Sequence, residues 1–267
     1  APAAIPPEQL AQAYRQALAV QPAHAGAHAA LIGLLLAQGD DAAARTQHGL
    51  MRQQLPKHPQ TLLYEGQLVM RQGDLARARE VFQLLRRGAP DNLLLLQLAG
   101  QVELRLGAPA QAEVLLSRAV QLAPASAPAR RLAARAQLAL GQPARALTVL
   151  EPLTGAQTAD AEALSLAAQA RLMAGEADAA AALFQRAARI RPDDPRIRTA
   201  VALSNLQRGQ GDTALAELQR VAADDAQGTS ADMALIAVQM QRRAYGPALQ
   251  AIAALDKKLP DQPLPAH

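Results

Sequence analysis

Residues 93–126 read LLLLQLAGQVELRLGAPAQAEVLLSRAVQLAPAS, with Gly107 fifteenth in the stretch, Ala112 twentieth and Pro124 thirty-second. The glycine separates two apolar runs of helical length, and it can take φ > 0 to close the first helix. Pro109 suits the first turn of the second helix, where a fixed φ and a missing N–H cost nothing. Pro124 ends that helix by clashing with the turn before it. Moving 34 residues at a time in either direction finds the same glycine at Gly39, Gly73, Gly141, Gly175 and Gly209, with no insertion or deletion. The alanine keeps the same beat at Ala44, Ala78, Ala146, Ala180 and Ala214, and a seventh, Ala248, follows Arg243 where a glycine is due. A fixed period of this length predicts stacked helical hairpins.

With the glycine at position 15, the chain divides into seven windows: 25–58, 59–92, 93–126, 127–160, 161–194, 195–228 and 229–262. Proline recurs at position 32 as Pro56, Pro90, Pro124, Pro192 and Pro260, and Pro22 fits the same frame. Residues 8–22 therefore read as the second helix of a half-repeat, with Tyr14 at position 24. Position 8 is small in Gly66, Gly100, Ala134, Ala168 and Ala202, and is expected to face the alanine at position 20. Phe82, Leu116, Leu150, Phe184, Leu218 and Ile252 at position 24 read as core, Tyr245 falls at position 17, and only Tyr64 has no assigned packing place. Asp40 and Asp74 read as helix N-caps. Two windows depart from the pattern. The fourth has Thr158 for the terminal proline and Pro152 within its second helix, which should stop or kink near Glu151. The sixth has Ala226 at that place, with Asp224, Asp225 and then Gly228, Thr229 and Ser230 forming a polar break and a candidate hinge.

Glycine, alanine and proline agreeing in one frame resemble the tetratricopeptide repeat (TPR). The resemblance implies an all-α, right-handed α-solenoid of about seven helix-turn-helix repeats plus one N-terminal half-repeat helix. It also implies a concave groove lined by positions 2, 5, 9, 12 and 13 of each first helix. Those positions supply Gln60, Leu63, Gln67 and Arg71, then Leu94, Gln97, Gln101 and Arg105, then Arg131 and Arg135, with Gln169 extending the stripe. Arg131 and Arg135 are four apart and point the same way on a helix. Beside Gln97 and Gln101 they offer a fork for a carboxylate, an acidic peptide or an anionic sugar. The competing reading is a solvated inner face that is polar for solubility alone. Later windows place Leu172, Met173, Thr199, Leu203, Leu206, Met233 and Met240 in the groove, a more apolar lining suited to a partner helix or an extended chain. Position 12 is apolar from Leu36 to Met240, which favours packing over binding there.

Composition narrows the function. The chain has no cysteine, so disulfides and thiolate metal sites are excluded. No nucleophile elbow, phosphate loop, dinucleotide fingerprint or paired metal motif is present, and the expectation is a protein that is not an enzyme and uses no cofactor. His24 and His28 have the four-residue spacing of a metal pair, but His24 falls in a linker, so no metal site is assigned. His48 reads as a packing histidine and His58 as a linker residue. Net charge is +4, carried by arginine, since Lys57, Lys257 and Lys258 are the only lysines. Acids are interspersed along the same helices and stacking aromatics are scarce, so no nucleic-acid partner is expected. No apolar run reaches membrane-spanning length.

Chaperone-binding TPRs clamp a carboxylate with lysine at position 5 and asparagine at position 9. Here those pairs are Leu63/Gln67, Gln97/Gln101, Arg131/Arg135 and Ser165/Gln169, so the clamp is absent. The irregular segments Gly228-Thr229-Ser230-Ala231-Asp232-Met233-Ala234-Leu235-Ile236, residues 254–265 (ALDKKLPDQPLP) and Leu98-Ala99-Gly100-Gln101-Val102-Glu103-Leu104 resemble the TPR-repeat lipoprotein of the PEP-CTERM/exosortase system. That resemblance implies a scaffold for protein partners of the Gram-negative envelope, linked to exopolysaccharide production and protein sorting. It further implies a periplasmic location, a signal and lipidated cysteine upstream of Ala1, and more repeats beyond His267. It carries no catalytic residues. The alternative function is direct binding of anionic polysaccharide or acidic peptide through Arg71, Arg105, Arg131 and Arg135.

Overall fold

The computed structural model describes residues 5–155 and 157–259, and every regular element among them is an α-helix. The half-repeat helix is α1 (Pro7–Val20). Hairpins then follow as α2 (Ala25–Ala37) with α3 (Asp41–Gln54), α4 (Pro59–Gln72) with α5 (Leu75–Gly88), and α6 (Leu93–Arg105) with α7 (Pro109–Leu122). Next come α8 (Ala127–Ala139), α9 (Pro143–Thr154), α10 (Ala161–Met173), α11 (Ala177–Ile190), α12 (Pro195–Gln207), α13 (Gly211–Asp224), α14 (Ser230–Gln241) and α15 (Tyr245–Lys258). First helices start with their windows, within one residue, and second helices start at position 17 throughout. Pro260 lies outside the described residues, as do the end of the 229–262 window and part of the 254–265 segment.

Left-handed backbone at position 15 sets this rhythm. All six period glycines have φ between 70° and 89°. The turn at Gly39 shows why: its N–H bonds Leu36 O at 3.2 Å while the next N–H, of Asp40, reaches back to Leu35 O at 3.0 Å. That pair satisfies the last carbonyls of the helix and needs φ > 0 between them. Arg243 adopts the same turn, with φ 58° and Ala244 N–H bonded to Gln239 O at 2.9 Å. A side chain in this region costs about 1–2 kcal/mol. Replacing Arg243 by Gly is therefore expected to raise stability by about 1 kcal/mol after the added unfolded-state entropy. Urea titration checks it, and a loss of stability would show that the Arg243 side chain outweighs its backbone strain.

Helix starts are capped in two series. Before second helices, Asp40 accepts from Ala43 N–H at 2.9 Å and Asp74 from Arg77 N–H at 3.0 Å. Before first helices, position 34 does the capping: His24, His58, Asn92, Ser126, Asp160 and Asp194 each accept a backbone N–H from the first turn. This second series was open to reading from its polar residue types, and it turns supposed linker histidines into caps.

The described chain forms two compact units, residues 5–136 and 137–259. In the first, Leu31, Ile32, Leu35, Met51 and Leu68 form one core with Tyr14 and Tyr64 at its edge, and Phe82, Leu96 and Val102 anchor another. In the second, Phe184 packs with Ala168 and Ala180, and Leu218 with Leu235 and Val238. Tyr64 lays its hydroxyl over Gly33, where an added Cβ would lie 3.3 Å away, and burial pushes its phenol pKa up. At position 8 the expected pairing with position 20 is seen where Ala168 and Ala180 share a core, and the glycines add a second reason for small size. A Cβ on Gly66 would lie 2.5 Å from the Phe82 ring, and one on Gly100 2.5 Å from Leu116 Cγ. In these repeats the small residue makes room for position 24, and Ala78 and Ala112 at position 20 are fully buried.

The two irregular windows are closed by side chains. Helix α9 continues three residues past Glu151, through Pro152 in its last turn, so the expected stop comes late. Arg186 then donates to Thr154 O at 2.8 Å, and Asp160 N–H bonds Leu153 O at 3.0 Å. At the polar break Asp225 accepts from Gly228 N–H at 2.7 Å. Lys258 bridges the break from α15, donating to Ala222 O, to Asp225 O at 3.0 Å and to Asp232 Oδ2 at 2.8 Å. The ammonium has three protons and three acceptors, so the segment expected to hinge is pinned.

Candidate functional site

In the unit of residues 5–136 two polar contacts tie first helices of successive repeats, and a third ties a first helix to the second helix of the repeat before it. Gln97 on α6 donates to Ser126 Oγ, the cap of α8, at 3.3 Å. Arg105 on α6 donates to Met70 O near the end of α4 at 2.7 Å. Arg71 on α4 reaches Asp41 at the start of α3, with a closest approach of 2.8 Å. Arg71 and Arg105 thus already serve inter-repeat bonds. Both partners of the Arg71–Asp41 pair are about 40 % exposed, so that pair contributes under about 1 kcal/mol and an incoming anion can compete for it.

The remaining groove candidates sit as follows. Gln60, Leu63, Gln67, Gln97, Gln101 and Arg131 are half-buried, and Arg135 is exposed. Leu63 also packs on the core beneath α6. Leu94, at position 2 of the third window, is 45 % exposed. The strip is thus mixed: amide and guanidinium groups alternate with leucines that solvent reaches. Its polar groups are donors for a backbone or a carboxylate, and its leucines are contact area.

In the unit of residues 137–259, Gln169 is exposed on α10. Met173, Met233 and Met240 are exposed too, the last two on one face of α14. Thr199 is 5 % exposed and bonds Pro195 O at 2.7 Å, so it is structural and not groove lining. Leu172 and Leu206 pack against core at position 12, as expected, whereas Met240 at the same position does not.

Among the described residues the four histidines are all engaged in structure. His24 Nδ1 caps α2 by accepting from Ala27 N–H at 3.1 Å. His28 is buried, with Nε2 2.9 Å from Pro22 O and Nδ1 2.7 Å from the Gln47 amide. His48 is buried and donates from Nε2 to Thr61 O at 3.0 Å. Among the described residues no three His, Asp or Glu side chains group to hold a metal, and no helix is long and apolar enough to cross a membrane.

Two polar groups outside the expected groove matter for its scaffold. Glu103 is 7 % exposed between α5 and α6, where Arg79 grips it with two bonds, one from Nε at 2.9 Å. Asp232 is 3 % exposed and held by Lys258. No motif announces either, because the partners are 24 and 26 residues apart: Arg79 and Glu103 meet when neighbouring repeats stack, and Asp232 and Lys258 when the two helices of one hairpin close.

Family models described as tetratricopeptide repeat match residues 63–127, 103–170 and 171–231. No curated protein sequence matches the chain. Among solved structures, a tetratricopeptide repeat protein from Parabacteroides merdae ATCC 43184 superposes with a TM-score of 0.68 at 15% identity, covering 86% of this chain and 91% of that one. The APC/C hetero-tetramer Cut9–Hcn1 gives 0.73 at 15% identity over 87% of this chain and 46% of that one. A thermophilic TPR protein of Thermus thermophilus gives 0.57 at 23% identity over 68% and 99%. At such identities these likenesses speak for the fold. With the family models together covering more than half of the chain, the protein belongs to the tetratricopeptide repeat family.

Proposed function

We propose that this chain is a non-enzymatic scaffold that binds protein partners along the first-helix strip. We place it at the periplasmic side of a bacterial envelope, in exopolysaccharide production or export or in PEP-CTERM protein sorting, with a lipid anchor upstream. The observation that carries the binding role is the pair of bonds that tie α6 to the end of α4 and to the cap of α8. On this reading Gln67, Gln101 and Arg135 form one strip with partly exposed Leu63 and Leu94. Such a strip offers contact area and hydrogen bonds spread over several repeats, which suits a polypeptide better than a small substrate. The envelope role rests on the resemblance of residues 228–236, 254–265 and 98–104 to the lipoprotein family.

A second reading, capture of an anionic polysaccharide or acidic peptide, draws on exposed Arg135 one turn from Arg131. It ranks second because Arg71 and Arg105 are already used between repeats. Affinity capture from envelope extracts tests both, comparing the wild type with the Arg131→Ala/Arg135→Ala variant. The scaffold reading expects an exosortase or polysaccharide-assembly protein to be captured, with about tenfold weaker retention by the variant. Stability should stay within about 1 kcal/mol, as for other surface changes. Identical protein profiles from both would remove the arginines from the site. Recovery of acidic polysaccharide without protein would favour the second reading.

A further inference from the structure

A cavity of about 400 Å³ opens between the start of α4, the end of α5 and the start of α6. Leu63, Leu84, Leu85, Leu94 and Leu95 line it, Gln60 and Asn92 supply its polar atoms, and no charged side chain takes part. Leu84 and Leu94 at its mouth are 52 % and 45 % exposed, an arrangement that leaves two large apolar side chains in water.

Gly88 lines the cavity from the end of α5, and it is the odd residue. Its backbone is helical and outside the positive-φ set, so it is not there for conformational freedom. Nor is it there for packing, because an added Cβ would meet nothing within 4 Å, in contrast to Gly66 and Gly100. Glycine weakens a helix, so the residue carries a cost with no return inside the chain. The same place holds Gln54, Leu122, Ile190, Asp224 and Lys258 in other second helices. One repeat later, Gln97 at the place of Leu63 bonds Ser126 at the place of Asn92. In the next repeat that side-chain bond crosses the equivalent place.

We infer that this cavity seats one large apolar side chain, of leucine or phenylalanine size, from a polypeptide lying along the first-helix strip. The inference rests on the scaffold reading above, and three observations favour this occupant. The lining excludes charge. The volume suits a side chain and is too small for a whole helix. Gln60, Leu63 and Leu94 belong to the cavity and to groove positions 2 and 5 at once, so a chain in the groove passes over its mouth. Gln60 then offers its amide to the backbone of that chain, since Asn92 Oδ1 already accepts from Leu95 N–H at 3.1 Å.

The test uses the full chain and a random 12-residue peptide library displayed on phage. Selected sequences should share one fixed large apolar position. A synthetic peptide from that set should bind the Gly88→Leu variant about tenfold or more weakly, the effect of denying burial to one such side chain. The variant should be at least as stable as the wild type in urea, because Leu122 occupies the same place one repeat later. Should Gly88→Leu destabilise the fold, Leu94→Gln at the mouth gives the same readout from an exposed position. Peptides that bind Gly88→Leu and Leu94→Gln as tightly as the wild type, yet lose affinity for Arg131→Ala/Arg135→Ala, would overturn the cavity and keep the groove. Selected peptides without a shared apolar position would also overturn it. Failure of the wild type to select any peptide would sink the cavity and the groove reading together.

Discussion

Replacing Lys258 by Met is expected to destabilise the unit of residues 137–259 by about 3 kcal/mol, the usual cost of leaving one member of a buried ion pair alone. Asp232 is 3 % exposed and has Lys258 as its counter-ion at 2.8 Å. The same ammonium serves Ala222 O and Asp225 O, so two carbonyls at the end of α13 lose a donor as well. The methionine keeps most of the aliphatic stem, which isolates the charge from the packing. Because repeat arrays need not unfold in one step, amide exchange across α13, α14 and α15 is the sharper readout, and protection there should fall first. Adding Asp232→Leu to Lys258→Met should recover a large part of the loss, since an apolar pair of similar size no longer strands a charge. A single variant within about 0.5 kcal/mol of wild type, the range of ordinary surface changes, would show that the bridge does not hold the polar break together.

Gly100→Ala should lower stability by about 2 kcal/mol even though alanine is the better helix former by about 1 kcal/mol. The Cβ would sit 2.5 Å from Leu116 Cγ and 2.6 Å from Cδ2, and Leu116 is fully buried with no open side to move toward. The double variant Gly100→Ala/Leu116→Ala should depart from additivity, because removing the branched end of Leu116 removes the clash. Thermal unfolding of the four members of this cycle measures that coupling. Strict additivity would mean the two residues do not press on one another. The contrast with Gly88→Leu is instructive: two helical glycines, one expected to resist a larger side chain and one to welcome it, differ in whether a neighbour already fills the space.

The fold was legible because its signals are local and repeated. A glycine able to take φ > 0, a proline after the second helix and a small residue at position 20 each act within one hairpin, and six glycines, five prolines and seven alanines in one frame fix every helix start to within a residue. The late stop of α9 was misplaced for a local reason too: proline in a last turn forfeits one bond and need not end the helix before it. The capping role of position 34 was visible as Asn92, Ser126, Asp160 and Asp194, though His24 and His58 disguised it. Gly66 and Gly100 could be seen to be small without its being evident that Phe82 and Leu116 are the reason.

The sequence by itself determined the period, the helical hairpins and the family, since these depend on backbone conformation and on side chains a few residues apart. Only the tertiary structure decided how the groove positions are spent. It gave Arg71 to Asp41 and Arg105 to Met70 O, buried Thr199, joined Lys258 to Asp232 and opened a cavity over Gly88. The burial of Thr199 apart, each of these joins residues from different helices, most of them in neighbouring repeats, and a pattern that repeats every 34 residues says which faces meet but not which atoms find each other across them.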